Sequence, residues 1–140
     1  MRFLKISLGG ILAGLSGGLA AGIFVLSAGE MYMPNGVKVF FAVGNLPYLL
    51  ISAAACGLIS GVVVGGLEMI VPAYLIMPAA VIVGTSVGGF VHSRIHARLV
   101  AANMSNAEYQ MLFFHFGLVA GAVAGVAIYL SVRRLQKTDR

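Results

Sequence analysis

The strongest candidates for chemistry in this chain are its three histidines, and all three lie in its second half. His92 and His96 are four residues apart, so both would project from one face of a helix, a spacing that can bind a metal ion. His115 would lie on a neighbouring helix near the same membrane face, where His92 and His115 could ligate a b-type haem. The competing interpretation is the stronger one, because histidine is ordinary at a membrane interface, where His92 and His96 would lie, and because His115 can hydrogen-bond a neighbouring helix. We therefore expect no metal and no cofactor.

The other reactive side chains do not form a catalytic set. Ion-translocating subunits carry a carboxylate near the bilayer midplane. Here Glu68 falls at a predicted turn and Glu30 lies just beyond an apolar segment, so both are expected to be solvated loop carboxylates. Cys56 lies inside an apolar run and is expected to be a small buried side chain. The chain offers no Ser-His-Asp set, no paired carboxylates and no phosphate-binding loop, so we expect no catalytic residues and no enzymatic activity.

The composition indicates a membrane protein. Of 140 residues, 60% are hydrophobic and 9% are charged, whereas about a quarter of the residues of a soluble domain are charged. The net charge of +5 does not indicate nucleic-acid binding, because the charges lie at the ends of apolar segments, as membrane topology requires. The first apolar stretch, 6–28, is longer than the roughly 7–15 residues of a signal-peptide core, so we expect a retained helix. Residues 1–140 are expected to form a single polytopic membrane domain.

Prolines, a carboxylate and a capping motif divide the apolar sequence into four predicted spans. Pro47 suits the first turn of a helix, Glu68 marks a turn, and Pro72 suits the start of the next helix. Residues 105–108 match a capping box, and 34–36 give a turn signal for either a small interfacial hairpin or a loop. The predicted fold is an all-α, four-helix membrane bundle. Its helices are expected near 6–28, 46–66, 72–92 (continuing to about 102) and 106–132.

The distribution of Lys and Arg residues predicts which side of the membrane each terminus occupies. With four spans both termini lie on one side of the membrane, and six cations fall on that side against three on the other. The excess places both termini in the cytoplasm or its equivalent. The expected location is a bacterial or mitochondrial inner membrane. Five cations are expected to contact lipid or a partner, two of them on a helical extension that leaves the bilayer: Arg94, Arg98, Arg133, Arg134 and Lys137.

Each apolar segment carries small residues spaced four apart, which we call a glycine ladder. Small residues at this spacing let membrane helices approach closely, as in the GxxxG motif. The expected packing glycines are Gly10, Gly14, Gly18 and Gly22 in the first segment, Gly57, Gly61 and Gly65 in the second, Gly84 and Gly88 in the third, and Gly117, Gly121 and Gly125 in the fourth. Residues 57–65 align with 117–125, and Gly14 and Gly18 with Gly84 and Gly88, which raises a duplicated helical hairpin as an alternative to chance similarity.

The predicted spans contain no Asp, Glu, Lys or Arg away from their ends. This absence favours a function exerted through contact with other helices or with lipid. The leading hypothesis is a non-enzymatic accessory or scaffold subunit of a larger integral membrane complex of the respiratory, secretion or translocation type. One alternative is a small homo-oligomeric channel or holin-like pore, with the ladders as subunit contacts. The other is a haem- or metal-binding membrane subunit that uses the histidines. The expected partners are membrane lipids and other integral membrane subunits, and not nucleic acid.

Overall fold

A computed structural model describes the backbone of residues 1–32 and 46–138 and the side chains of 1–24 and 47–138. Four long helices account for most of this part of the chain: α1 (Arg2–Tyr32), α2 (Leu46–Leu67), α3 (Ile76–Ala101) and α4 (Gln110–Thr138). Short 3-10 helices, Ala73–Leu75 and Ala107–Tyr109, precede α3 and α4. The turn signal at 34–36 lies outside the described residues.

All four helices are long and apolar enough to cross a membrane. Large apolar side chains point outward along them, including Leu19, which is 71% exposed, and Ile82, which is 65% exposed. A continuous outer surface of this kind would be an aggregation hazard in water, whereas lipid tails solvate it. The chain therefore has the architecture of a multi-pass membrane protein.

The helices extend beyond the predicted spans. α1 begins at Arg2, whereas its predicted start was near residue 6. α4 continues to Thr138, whereas its predicted end was near residue 132. Hydrophobicity marks the part of a helix that suits lipid, but backbone hydrogen bonding continues into flanking polar residues that reach the headgroups. α3 runs without a break to Ala101, so the residues after 92 continue the helix, and the expectation that they leave the bilayer stays a prediction.

The start of α4 differs in detail from the predicted capping box. Asn106, and not Ser105, accepts a hydrogen bond from the Glu108 backbone N–H, at 3.1 Å. This bond begins the 3-10 turn Ala107–Tyr109, and α4 follows at Gln110. Asn is as good an N-cap as Ser, so two adjacent candidates compete and the turn geometry decides between them.

The helices pack around two hydrophobic clusters. α1 packs mainly on α2 and α4, and α3 packs mainly on α4 with α2 as its second neighbour. One cluster, near the α3–α4 connection, contains Ala21, Leu49, Leu99, Leu112, Phe113, Phe116 and Ala120. The other, nearer the chain termini, contains Ile6, Ala13, Val64, Ile76, Ala80, Ile128 and Val132. The histidines border the first cluster, and Glu68 lies beyond the second.

We predict that residues 102 and 138 lie on opposite sides of the membrane, with 138 in the cytoplasm. Both side chains are exposed, so Ala102→Cys and Thr138→Cys, each in a Cys56→Ala background, are accessible to a membrane-impermeant maleimide. In intact cells the cysteine at 102 should react, and the cysteine at 138 should react only after permeabilisation. Reaction of both cysteines before permeabilisation would contradict this topology.

Candidate functional site

His92 and His96 are fully buried between the helices. Both project from α3 toward α4. The His92 Nδ1–H donates to the carbonyl oxygen of Gly88 at 2.9 Å, and its ring centroid lies 5.2 Å from that of Phe116. This bond leaves the Nε2 lone pair of the neutral ring free. Nε2 is buried and has no hydrogen-bond partner among the described residues.

His96 is held at both ring nitrogens. Nε2 donates to the carbonyl oxygen of Asn106 at 3.1 Å. Nδ1 of the neutral ring is then an acceptor, and it pairs at 2.5 Å with the terminal amide of Gln110, whose NH2 group is the donor of that bond. The ring also stacks on Phe113, with centroids 4.3 Å apart. His96 therefore joins the end of α3 to the connection and to the first residue of α4.

His115 does not share the environment of the other two histidines. It is half-buried, its Nδ1–H donates to the Met111 carbonyl of its own helix at 2.7 Å, and its ring contacts Phe114 edge-on. On α4 it is one residue, or about 100°, away from Phe116, which is the residue that packs on His92. The described residues contain no group of three or more His, Cys, Asp or Glu side chains that could hold a metal ion. A haem between His92 and His115 stays the alternative, and the expected absence of a cofactor stays a prediction.

Glu68 is not the solvated loop carboxylate that the sequence predicted. Its side chain is only 10% exposed and forms an ion pair with Arg2. The Gln136 side-chain amide also donates to the same carboxylate oxygen, at 3.5 Å. These contacts bring together the start of α1, the end of α2 and the end of α4. Arg2 and Gln136 lie 66 and 68 residues from Glu68 in sequence, so no local sequence pattern predicts these contacts.

The five candidate contact cations lie on the outer surface in two grooves at opposite ends of the bundle. Arg94 and Arg98 line a groove on α3, where the Arg94 guanidinium lies 5.4 Å from the centroid of the Phe90 ring. Arg133, Arg134 and Lys137 line a groove on α4. Both groups are exposed, as residues that meet headgroups or a partner must be.

Several candidate packing glycines lie where two helix backbones touch. A Cβ built on Gly14 of α1 would meet the carbonyl oxygen of Ala53 and lie 2.8 Å from the Cα of Gly57 in α2. In the same way a Cβ on Gly88 of α3 would meet the carbonyl oxygen of Gly117 and lie 2.8 Å from the Cα of Gly121 in α4. No side chain fits at these positions without moving a backbone.

The remaining ladder residues vary in their surroundings. Gly10, Gly61, Gly84 and Gly125 also face the backbone of another helix, whereas Gly18 faces the Ala53 side chain and Gly65 the Phe3 side chain. Gly22 is half-buried. The sequence interpretation missed Gly17, whose added Cβ would meet the carbonyl oxygen of Ala120 on α4. A second stripe of small residues carried that signal, since Gly17 lies four residues from both Ala13 and Ala21, which are buried.

The two hairpins make the same kind of contact. Gly10 and Gly14 of α1 each meet a carbonyl oxygen of α2 and the residue four further on, and Gly84 and Gly88 of α3 meet α4 in the same way. Because every step of the ladder makes this contact, the alignment of Gly14 and Gly18 with Gly84 and Gly88 stays a prediction. His92 and His96 continue the four-residue register of Gly84 and Gly88, which was the signal for their burial.

The chain matches no protein-family model, no curated protein and no solved structure.

We predict that the two buried histidines respond differently to replacement by phenylalanine. His96→Phe keeps a ring but removes both hydrogen bonds, and should lower the free energy of unfolding by about 1–3 kcal/mol. His92→Phe removes one hydrogen bond, to the Gly88 carbonyl, together with a buried nitrogen that has no described partner. These two effects oppose each other, so the change in the free energy of unfolding should be smaller than for His96→Phe. The measurement is the apparent unfolding temperature of each purified variant in the same mild detergent. Equal losses in both variants would mean that His92 Nε2 has a partner.

Proposed function

We propose that the protein is a non-enzymatic scaffold subunit of a larger integral membrane complex of the respiratory, secretion or translocation type. The observation that carries this proposal is the outer surface of the bundle, which is apolar along all four helices and charged only toward their ends. Such a surface can contact only lipid or other membrane helices. The protein therefore has little means of acting except by packing.

The interior supports the same proposal. Catalysis needs titratable or nucleophilic groups positioned around a space that a substrate can enter. His96 and Glu68 are instead engaged by neighbouring helices through hydrogen bonds and an ion pair. Cys56 is buried within α2. These groups hold the helices to one another, which is the requirement of a scaffold.

We also propose that the glycine ladders drive assembly of the bundle. In a bilayer the hydrophobic effect does not bring helices together, so association depends on van der Waals contact at short range. The close approaches at Gly14 and Gly121 support this role, because an added Cβ at Gly121 would lie 2.6 Å from the carbonyl carbon of Gly84. Part of the ladder can equally serve contacts with a partner subunit.

The ladder proposal predicts a strong dependence on position for one substitution. Gly14→Leu and Gly121→Leu should prevent recovery of folded, monodisperse protein, because each forces two backbones apart. Gly9→Leu is the matched control, since a Cβ on Gly9 meets nothing within 4 Å. Leu19→Ala, on the exposed face of α1, should also be tolerated. The measurement is size-exclusion chromatography in mild detergent. Unchanged elution of the Gly14 and Gly121 variants would exclude the ladders as assembly contacts.

The scaffold proposal predicts co-purification. Native mass spectrometry of the protein, gently solubilised from its own membrane, should show it bound to other integral membrane polypeptides at fixed stoichiometry. A homogeneous ring of this chain alone would favour the homo-oligomeric pore. A Soret band that disappears in His115→Ala would favour the haem-binding alternative.

A further inference from the structure

The last turns of α4 form a groove of two chemically different parts. Its volume is about 530 Å³, within the roughly 300–1,000 Å³ of ordinary small-molecule sites. Ala127 and Leu130 line its apolar part, and Leu130 is 51% exposed. Arg133, Arg134 and Lys137 line the other part. Since a helix rises 1.5 Å per residue, the apolar part extends roughly 9 Å from the first arginine toward the middle of the span.

The positive charge of this groove is not neutralised within the described chain. Arg133, Arg134 and Lys137 are exposed, and none forms an ion pair with a described carboxylate. The nearby Glu68 is already engaged by Arg2 and Gln136. Ser131 uses its hydroxyl proton for the Ala127 carbonyl at 3.0 Å, which leaves its oxygen lone pairs facing the groove and adds no positive charge. Among the described residues, none neutralises these three cations, so they can bind an external anion.

We propose that this groove binds one anionic glycerophospholipid. The phosphate would lie among Arg133, Arg134 and Lys137, and an acyl chain would run along Leu130 and Ala127. Charge complementarity selects an anionic headgroup over a zwitterionic one. The adjoining apolar part selects a lipid over a free phosphate, because only a lipid fills both parts at once. The site does not depend on whether the protein is a scaffold.

A lipid titration of the full-length protein tests the proposal. The delipidated protein, in a neutral detergent, is titrated with phosphatidylglycerol or with phosphatidylcholine of the same acyl chains, and bound lipid is counted by native mass spectrometry. Phosphatidylglycerol should bind at least about 10-fold more tightly. Glycerol 3-phosphate, a monoester with more negative charge than the phosphatidylglycerol diester but no acyl chains, should bind at least about 10-fold more weakly than phosphatidylglycerol.

A matched pair of variants separates the groove from general positive charge. Lys137→Gln and Lys5→Gln each remove one exposed cation from the same end of the bundle, but only Lys137 lines the groove. Lys137→Gln should weaken phosphatidylglycerol binding roughly 5-fold, and Arg133→Gln/Arg134→Gln/Lys137→Gln on the order of 100-fold. Lys5→Gln should change it less than twofold.

Four outcomes would overturn the proposal. These are equal binding of the two lipids, equal losses in Lys137→Gln and Lys5→Gln, unchanged binding by the triple variant, and glycerol 3-phosphate binding as tight as that of phosphatidylglycerol. Displacement of bound phosphatidylglycerol by a polyglutamate peptide at equal concentration would assign the groove to an acidic protein segment instead. All three substituted side chains are exposed, so the unfolding temperature of the triple variant should match that of the unaltered protein.

Discussion

Direct backbone contact pairs α1 with α2 and α3 with α4, and under the proposed assembly the rest of the structure depends on it. At Gly57 and at Gly121 an added Cβ would lie 2.6 Å from a backbone carbon of the facing helix, so no side chain fits between the two backbones. The face of α3 that turns Gly84 and Gly88 toward α4 also carries His92 and His96, because all four share one face at four-residue spacing. Both histidines are accordingly buried.

The features predicted correctly from sequence are those that local sequence determines. Four apolar helices, the turn before Pro72 and the burial of Cys56 follow from hydrophobicity and from the punctuating residues. Exact helix ends do not, because the last turns of α1 and α4 carry polar residues whose backbone is helical all the same. The environment of Glu68 is also beyond local sequence. Its carboxylate is buried by Arg2 and Gln136, which reach it only after the helices have assembled.

A ladder with a four-residue period cannot determine its own register. Shifted by four residues, such a sequence still matches itself, so Gly84 and Gly88 are equally good sequence equivalents of Gly14. The contacts repeat with the same period, since Gly10, Gly14, Gly84 and Gly88 each meet a carbonyl oxygen of the facing helix and the residue four further on. They therefore leave the register as open as the sequence does. The hairpins share the geometry of their crossing but differ near the α3–α4 connection, where the His96 side chain of α3 reaches Asn106 and Gln110.

Polar contacts at the two ends of the bundle join helices in addition to the backbone contacts between them. At one end Glu68 joins α2 to α1 and α4, and at the other His96 joins α3 to the start of α4. An engaged polar group inside a bilayer stabilises the helix arrangement, because breaking the contact would leave it without water to bind. Glu68 and His96 are consequently occupied within the bundle, and what the described chain presents outward is apolar surface with cations toward its ends. Apolar surface can recognise lipid tails or helices but cannot distinguish well among them. Within the described residues, selectivity for lipid or for partner helices can therefore come from shape along the helices and from charge where they end.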